Sequence, residues 1–181
     1  MRPGSPTVVQ RLVEDYYSSL YRFAYRLTGS SADAEDLTQE TYCKAQGNLA
    51  QLRDPTKSRS WLFSILRNAY LHRIRADQLQ GCVPLELAGE IAETLPEPLP
   101  PIDSEQLQQA LNELPEVYRT PLILFYFEDF GYRDIAEQMD LPIGTVMSRL
   151  ARAKAHLRTR LVSGEVVAHN GCTSRRASDG L

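Results

Sequence analysis

Apolar positions recur at three- and four-residue steps along most of this chain, and the breaks in that rhythm divide it. Val8, Leu12, Tyr16, Leu20, Phe23, Ala24 and Leu27 keep to one face of a helix over residues 7–27. Thr28 and Gly29 end it, because Gly29 can enter the left-handed region, and Ser30 or Ser31 caps the next helix with Asp33 as a capping-box partner. That second helix, residues 34–46, buries Ala34, Leu37, Thr41 and Ala45 and turns Glu35, Asp36, Gln39 and Glu40 outward. Residues 48–58 carry no period and hold Pro55, which predicts a loop of unusual length for a helical domain. A third helix over 59–75 places Leu62, Ile65, Leu66, Ala69 and Ile74 inward and Arg59, Arg67, His72, Arg73 and Arg75 outward.

The rhythm stops at residues 77–102, where Pro84, Pro96, Pro98, Pro100 and Pro101 stand among acids with no Lys or Arg. Such a composition builds no core and predicts an extended acidic, Pro-rich linker. Periodicity resumes after a cap at Asp103, with Leu107, Leu111 and Leu114 along one face. Pro115 opens a helix to about residue 127 that packs Val117 or Tyr118 with Leu122, Leu124 and Phe125; Pro121 bends it. Two short helices follow. The first, residues 132–139, aligns Ile135, Ala136 and Met139; Asp140-Leu141-Pro142 breaks it; the second, residues 145–161, turns Val146, Leu150, Ala153 and Leu157 back onto it. This is a helix-turn-helix. Residues 162–181 are aperiodic and rich in small residues, so disorder is expected there. The pattern predicts an all-α chain of two small helical domains, residues 1–76 and 103–161.

Composition changes this picture little, and charge changes it a great deal. An apolar share of 43% suffices for globular cores. There is no run of 18 apolar residues and no apolar signal core at the start, so neither membrane insertion nor export is expected, and a cytoplasmic location is the default. Cys43, Cys82 and Cys172 are too few and scattered for a disulfide framework, and His169 with Cys172 makes at most half a metal site, so no metal is expected. The net charge of −3 conceals segregation: residues 41–76 carry 7 cations and 1 anion, 77–117 carry 0 and 9, and 118–161 carry 7 and 5. On the last helix Arg149, Arg152, Lys154, Arg158 and Arg160 stand without an acid. That suits a major groove lined by phosphates, or alternatively the solvated face of an ordinary helical hairpin. His72, His156 and His169 are isolated, and there is no nucleophile with base and orienter and no Gly-rich phosphate loop, which argues against an enzyme and against a cofactor.

Three stretches, Tyr21-Arg-Phe-Ala-Tyr-Arg-Leu-Thr-Gly29, Asp33-Ala-Glu-Asp-Leu-Thr-Gln-Glu-Thr-Tyr42 and Ser60-Trp-Leu-Phe-Ser-Ile-Leu-Arg-Asn-Ala69, resemble conserved region 2 of the bacterial sigma factors of RNA polymerase. Asn112-Glu-Leu-Pro-Glu-Val-Tyr-Arg119 and Gly144-Thr-Val-Met-Ser-Arg-Leu-Ala-Arg-Ala-Lys154 are similar to region 4. With nothing left over for regions 1 or 3, the chain resembles the extracytoplasmic-function (ECF) subgroup. The resemblance implies a protein that binds core RNA polymerase at the beta-prime clamp and beta flap, reads the −35 and −10 promoter elements, helps melt the DNA and is held by an anti-sigma factor. It implies that Ser148, Arg152, Met147 and Ala151 face base edges at −35 while Thr145, Arg149 and Lys154 sit nearer phosphates. Met147 stands where the family commonly has a basic residue.

For the −10 element the resemblance implies that the loop from Asn48 captures a flipped base. A separated strand needs cations and flat surfaces. Arg53, Lys57, Arg59, Arg67 and Arg73 supply the first; Trp61, Phe63 and Tyr70 are candidates for the second, with Trp61 and Phe63 equally suited to the core. Asp36, Gln39 and Glu40 fall at i, i+3 and i+4 and form one patch, which the resemblance assigns to the polymerase clamp. The acidic stretch over residues 77–105, at ~3.3 Å per residue, reaches up to ~95 Å, enough for the roughly 85 Å between the two elements at about 34 Å per turn. Two other readings remain at this stage. An autonomous helix-turn-helix regulator needs a sensor or dimerisation domain in residues 1–105, and a sigma mimic that titrates an anti-sigma factor should lose its cations where DNA lies.

Overall fold

The computed structural model describes residues 7–78 and 103–170, and every regular element there is helical. The first unit comprises α1 (Val8–Thr28), α2 (Ser31–Gly47), two single-turn 3₁₀ helices (Leu49–Gln51 and Pro55–Lys57) and α3 (Ser58–Gln78). The second comprises α4 (Ser104–Glu113), α5 (Glu116–Tyr126), α6 (Tyr132–Met139) and α7 (Ile143–Asn170).

Side-chain caps account for most of these boundaries. Gln10 N–H donates to the Thr7 hydroxyl at 3.3 Å and Thr7 N–H donates to Gln10 Oε1 at 2.6 Å, a reciprocal box that starts α1. Gly29 closes α1 at φ 71°, and the Ser30 hydroxyl then accepts from Asp33 N–H to open α2. Asp103 caps α4 in the same way through Glu105 N–H.

Two expectations change. Residues 48–58 are ordered turns instead of an aperiodic loop: Asp54 Oδ1 accepts from the N–H and hydroxyl of Thr56 at 2.9 and 2.7 Å, and the Ser58 hydroxyl donates to Pro55 O. Local side-chain bonds replace the hydrophobic period as the ordering force there. The last helix also starts earlier and runs past Leu161 to Asn170. No proline follows Pro142, and extending an existing helix costs far less than nucleating one. The linker over 79–102, the end of the tail over 171–181, Cys82 and Cys172 lie outside the described residues.

The turn of the helix-turn-helix follows from Asp140 and Pro142. Asp140 adopts φ 52°, Leu141 N–H reaches back to Ala136 O at 3.0 Å, and Pro142 O accepts from Thr145 N–H at 2.9 Å to begin α7. Ile135 and Met139 of α6 then bury against Val146, Leu150 and Ala153 of α7.

The two units do not stand apart. Leu20, Phe23, Leu37, Leu62 and Leu66 from the first and Leu111, Leu122, Ile123 and Ile135 from the second belong to one continuous apolar core. Phe63 bridges them, its ring centroid 5.0 Å from Phe23 in α1 and 5.2 Å from Phe130 in the α5–α6 turn. Each such pair contributes about 1 kcal/mol beyond area burial.

Candidate nucleic-acid and polymerase interfaces

The outer face of α7 is the more open of the two candidate DNA surfaces. Met147, Ser148, Arg152 and Lys154 are exposed, while Thr145, Arg149 and Ala151 are half-buried. The Ser148 hydroxyl donates to Thr145 O at 2.9 Å, which fixes its rotamer. Residues 143–161 of α7 carry no acid, but an acid of another helix reaches this stretch. Arg160 Nη2 donates to Glu113 Oε1 of α4 at 2.7 Å, and that hydrogen bond holds the Glu113 carboxyl below its ordinary range. His156 is half-buried with Nε2 lacking a protein partner.

In the first unit the candidate residues separate into three groups. Asn48, Arg53 and Lys57 are exposed on the ordered turns, with Asn48 Nδ2 donating to Lys44 O at 2.8 Å and Asn48 Oδ1 accepting from Gln51 Nε2 at 3.0 Å. Trp61 is half-buried beside them. Phe63 and Tyr70 are core residues, and the Tyr70 hydroxyl donates to Leu27 O at 2.8 Å. Neither offers a ring face to a base, because both share the inward face of α3 with Leu62, Leu66 and Ala69.

Arg73 and Glu40, expected on two different interfaces, pair with each other. Arg73 Nη2 lies 2.8 Å from Glu40 Oε2, and Lys44 Nζ lies 2.7 Å from Oε1. Hydrogen bonds from Lys44 and then Arg73 hold the Glu40 carboxyl below its ordinary range. Asp36 and Gln39 are exposed next to it.

Arg59 and Arg67 form the third group, and both are occupied by the second unit. Arg59 Nη2 donates to Glu128 O at 2.5 Å, and its guanidinium sits 4.6 Å from the centroid of the Phe130 ring and 5.3 Å from that of Phe63. Arg67 Nη1 donates to Gln138 O at 3.1 Å, and Gln138 Nε2 returns a bond to Ser60 O at 3.0 Å. Along the same seam Arg119 Nη1 donates to Leu27 O at 2.7 Å and Gln108 Nε2 donates to Arg26 O at 3.2 Å. Glu128 is only 2% exposed; its carboxylate lies 3.6 Å from Arg59, and burial pushes it up to about 7 against the pull of Arg26, Arg59 and Arg22. Burial likewise lowers Arg67, against the pull of Glu116 of α5 and with smaller contributions from Arg149 and Arg75 in the same direction as burial.

Glu128, Phe130, Gln138 and Arg119 were not singled out by the sequence as functional. Their role depends on which distant segments meet. The one legible hint is the acid pair Glu128-Asp129 set between Phe127 and Phe130.

The family model for sigma-70 region 2 matches residues 12–79 and that for sigma-70 region 4 matches residues 104–157. The chain is 28% identical over 173 residues to the ECF RNA polymerase sigma factor SigW of Bacillus subtilis, covering 89% of this chain and 92% of that protein. It is 35% identical over 143 residues to the ECF RNA polymerase sigma factor EcfG of Rhodopseudomonas palustris, covering 77% of each. Among solved structures it is similar to the sigma factor RpoE of Bartonella quintana in complex with the anti-sigma factor NepR, at TM-score 0.69 and 28% identity over 84% of this chain and 95% of that one.

Proposed function

This chain belongs to the ECF sigma factors of RNA polymerase, and from that premise we propose how its parts divide promoter recognition. Residues 1–76 act as the region 2 unit, 103–161 as the region 4 unit, and 77–102 as the tether between them. The protein binds core polymerase in the cytoplasm and confers promoter choice; bond making belongs to the polymerase, and the chain itself is no enzyme. Region 2 docks on the beta-prime clamp through Asp36 and Gln39, with Glu40 contributing once Arg73 is drawn away to DNA. The turns bearing Asn48, Arg53 and Lys57, followed by Arg59, Trp61 and Arg67 on α3, receive the opened −10 strand. Region 4 sits near the beta flap and lays α7 in the −35 major groove.

The observation that carries this reading is the outer face of α7. A helix pinned to α6 through Val146, Leu150 and Ala153 presents Ser148, Arg152 and Lys154 to solvent. An arginine so held can read guanine O6 and N7 together, worth roughly 1–3 kcal/mol of discrimination, while a lysine nearby serves as a phosphate contact that carries no sequence information. Similarity to an RpoE captured with NepR supports an anti-sigma factor as a further partner.

Run-off transcription with core polymerase on genomic fragments tests the proposal. Discrete start sites that require this chain, each preceded by common −35 and −10 sequences, are expected. If the chain binds core polymerase but yields no promoter-dependent start, the assignment fails in favour of a mimic.

A further inference from the structure

Ile143 and Met147 are 45% and 52% exposed, although both are large and apolar and both stand in the first turns of α7. We propose that they form a methyl-reading strip: α7 recognises thymine in the −35 element through its C5 methyl group, alongside the hydrogen bonds that Ser148 and Arg152 can make. The inference rests on the placement of α7 in the major groove.

Three observations support it. First, the two side chains stand one helical turn apart, with Ala151 a further turn along, so residues 143, 147 and 151 line one strip. Single exposed apolar residues are ordinary, and Val8, Val117 and Val162, the other large aliphatic side chains so exposed among the described residues, are not spaced as a pair. Second, Gly144 adjoins both Met147 and Ser148 on the helix surface, three and four residues back, and the fold does not require a glycine there. A Cβ on it meets nothing within 4 Å, and its φ is not left-handed. Glycine weakens a helix relative to alanine, so its use at an open position suits close approach by something outside the chain. Third, the charge around the strip fits nucleic acid better than an apolar protein groove. Residues 143–161 hold no acid, and exposed Lys154 falls seven residues after Met147, at the end of the same strip. A lysine so placed can hold a phosphate while the apolar part reaches the base edges.

The chemistry on the DNA side is specific. The N-terminal residues of a groove helix are those that contact base edges, and in the major groove thymine alone among the four bases presents a methyl group. Met147, unbranched and polarisable, can adapt to that group. The Ser148 hydroxyl spends its proton on Thr145 O and keeps its lone pairs to accept from an adenine or cytosine amine. An apolar strip beside a polar one therefore distinguishes A·T pairs by the methyl of one base and the amine of the other.

The test uses holoenzyme assembled from core polymerase and the full chain, on a promoter duplex in which each −35 thymine is replaced in turn by deoxyuridine. That change deletes the methyl and keeps the pairing. With wild type, one or two replacements should weaken binding by about three- to fourfold each, the value of one buried methyl group. Met147→Ala should weaken binding to the thymine duplex by a similar factor and no longer tell thymine from uracil at one of those positions, and Ile143→Ala should do so at the neighbouring one. Met147→Lys should lose the same discrimination and steepen the salt dependence by about one phosphate contact. Arg152→Ala should keep the thymine–uracil difference while relaxing preference elsewhere.

Wild-type binding indifferent to every uracil replacement, with Arg152→Ala still relaxing the −35 sequence, overturns the methyl reading and leaves the groove placement standing. Met147→Ala or Ile143→Ala weakening the capture of core polymerase without DNA overturns it in favour of a protein contact. If no start site requires this chain, it falls together with the groove placement.

Discussion

Arg152 and Lys154 stand two positions apart on α7, and both are exposed, but they can do different things to DNA. Arg152→Ala should flatten base preference at one or two −35 positions in run-off transcription from a randomised promoter pool, with a loss of roughly 1–3 kcal/mol against the preferred base. Lys154→Ala should weaken all promoters alike and reduce the dependence of binding on salt. Identical base-preference profiles for Arg152→Ala and wild type would reject the groove assignment. Asp36 offers a parallel test on the polymerase side. It is exposed and outside the Glu40–Arg73–Lys44 cluster, so Asp36→Arg should abolish capture of core polymerase with thermal stability unchanged. Glu40→Arg is the poorer probe, since it also breaks the ion pair between α2 and α3. Here the sequence was a good guide to which residues face outward on α7 and α2, because three- and four-residue spacing reports the face of a helix directly. It was silent on their partners. Nothing local to Arg73 indicates that Glu40, on another helix, holds it.

At the scale of elements, the tight turn between α1 and α2 shows how one residue can serve both its own connection and a distant one. Gly29 sits at φ 71°, and a Cβ there would come within 2.6 Å of Asn112 Nδ2 on α4. Gly29→Ala should lower stability by about 1–2 kcal/mol from the backbone alone, read as a shift in urea midpoint. Adding Asn112→Ala removes the contact but not the strain, so the double variant should stay below Asn112→Ala alone. Full recovery would show that crowding, not φ, sets the requirement. The cap at Gly29 was readable because glycine after a periodic run has few other uses. The ordered turns over 48–58 were not, because the bonds from Asp54 to Thr56 and from Ser58 to Pro55 leave no hydrophobic period. The length of α7 escaped for the opposite reason: low periodicity after Leu161 suggests a coil, although nothing in the segment stops a helix already under way.

For the whole molecule, the seam makes stability sensitive to pH through Glu128. Its carboxyl rises from 4.5 to about 7 when buried against Arg22 and Arg26 of α1, Arg59 of α3 and the adjoining Asp129. The folded chain thus binds the proton more tightly than an exposed carboxyl does. That contribution is complete below about 4.5 and is lost as pH rises through about 7, amounting to roughly 3 kcal/mol at the limit. Glu40 and Glu113 are shifted downward, so their effects lie at lower pH. Melting between pH 5.5 and 8 should therefore show declining stability in wild type and a flatter profile in Glu128→Gln; parallel profiles would clear Glu128 of any part in it. Two helical units and their order were legible from periodicity and the acidic gap, but not their contact. Phe130 and Phe63 each look like ordinary core residues of their own unit, and only the folded chain shows them touching. That contact has a consequence for the protein's lifetime. Any parting of the units would uncover Phe130 and the neighbouring apolar surface to proteases and to other unfolded chains, and degradation follows the population of such open forms.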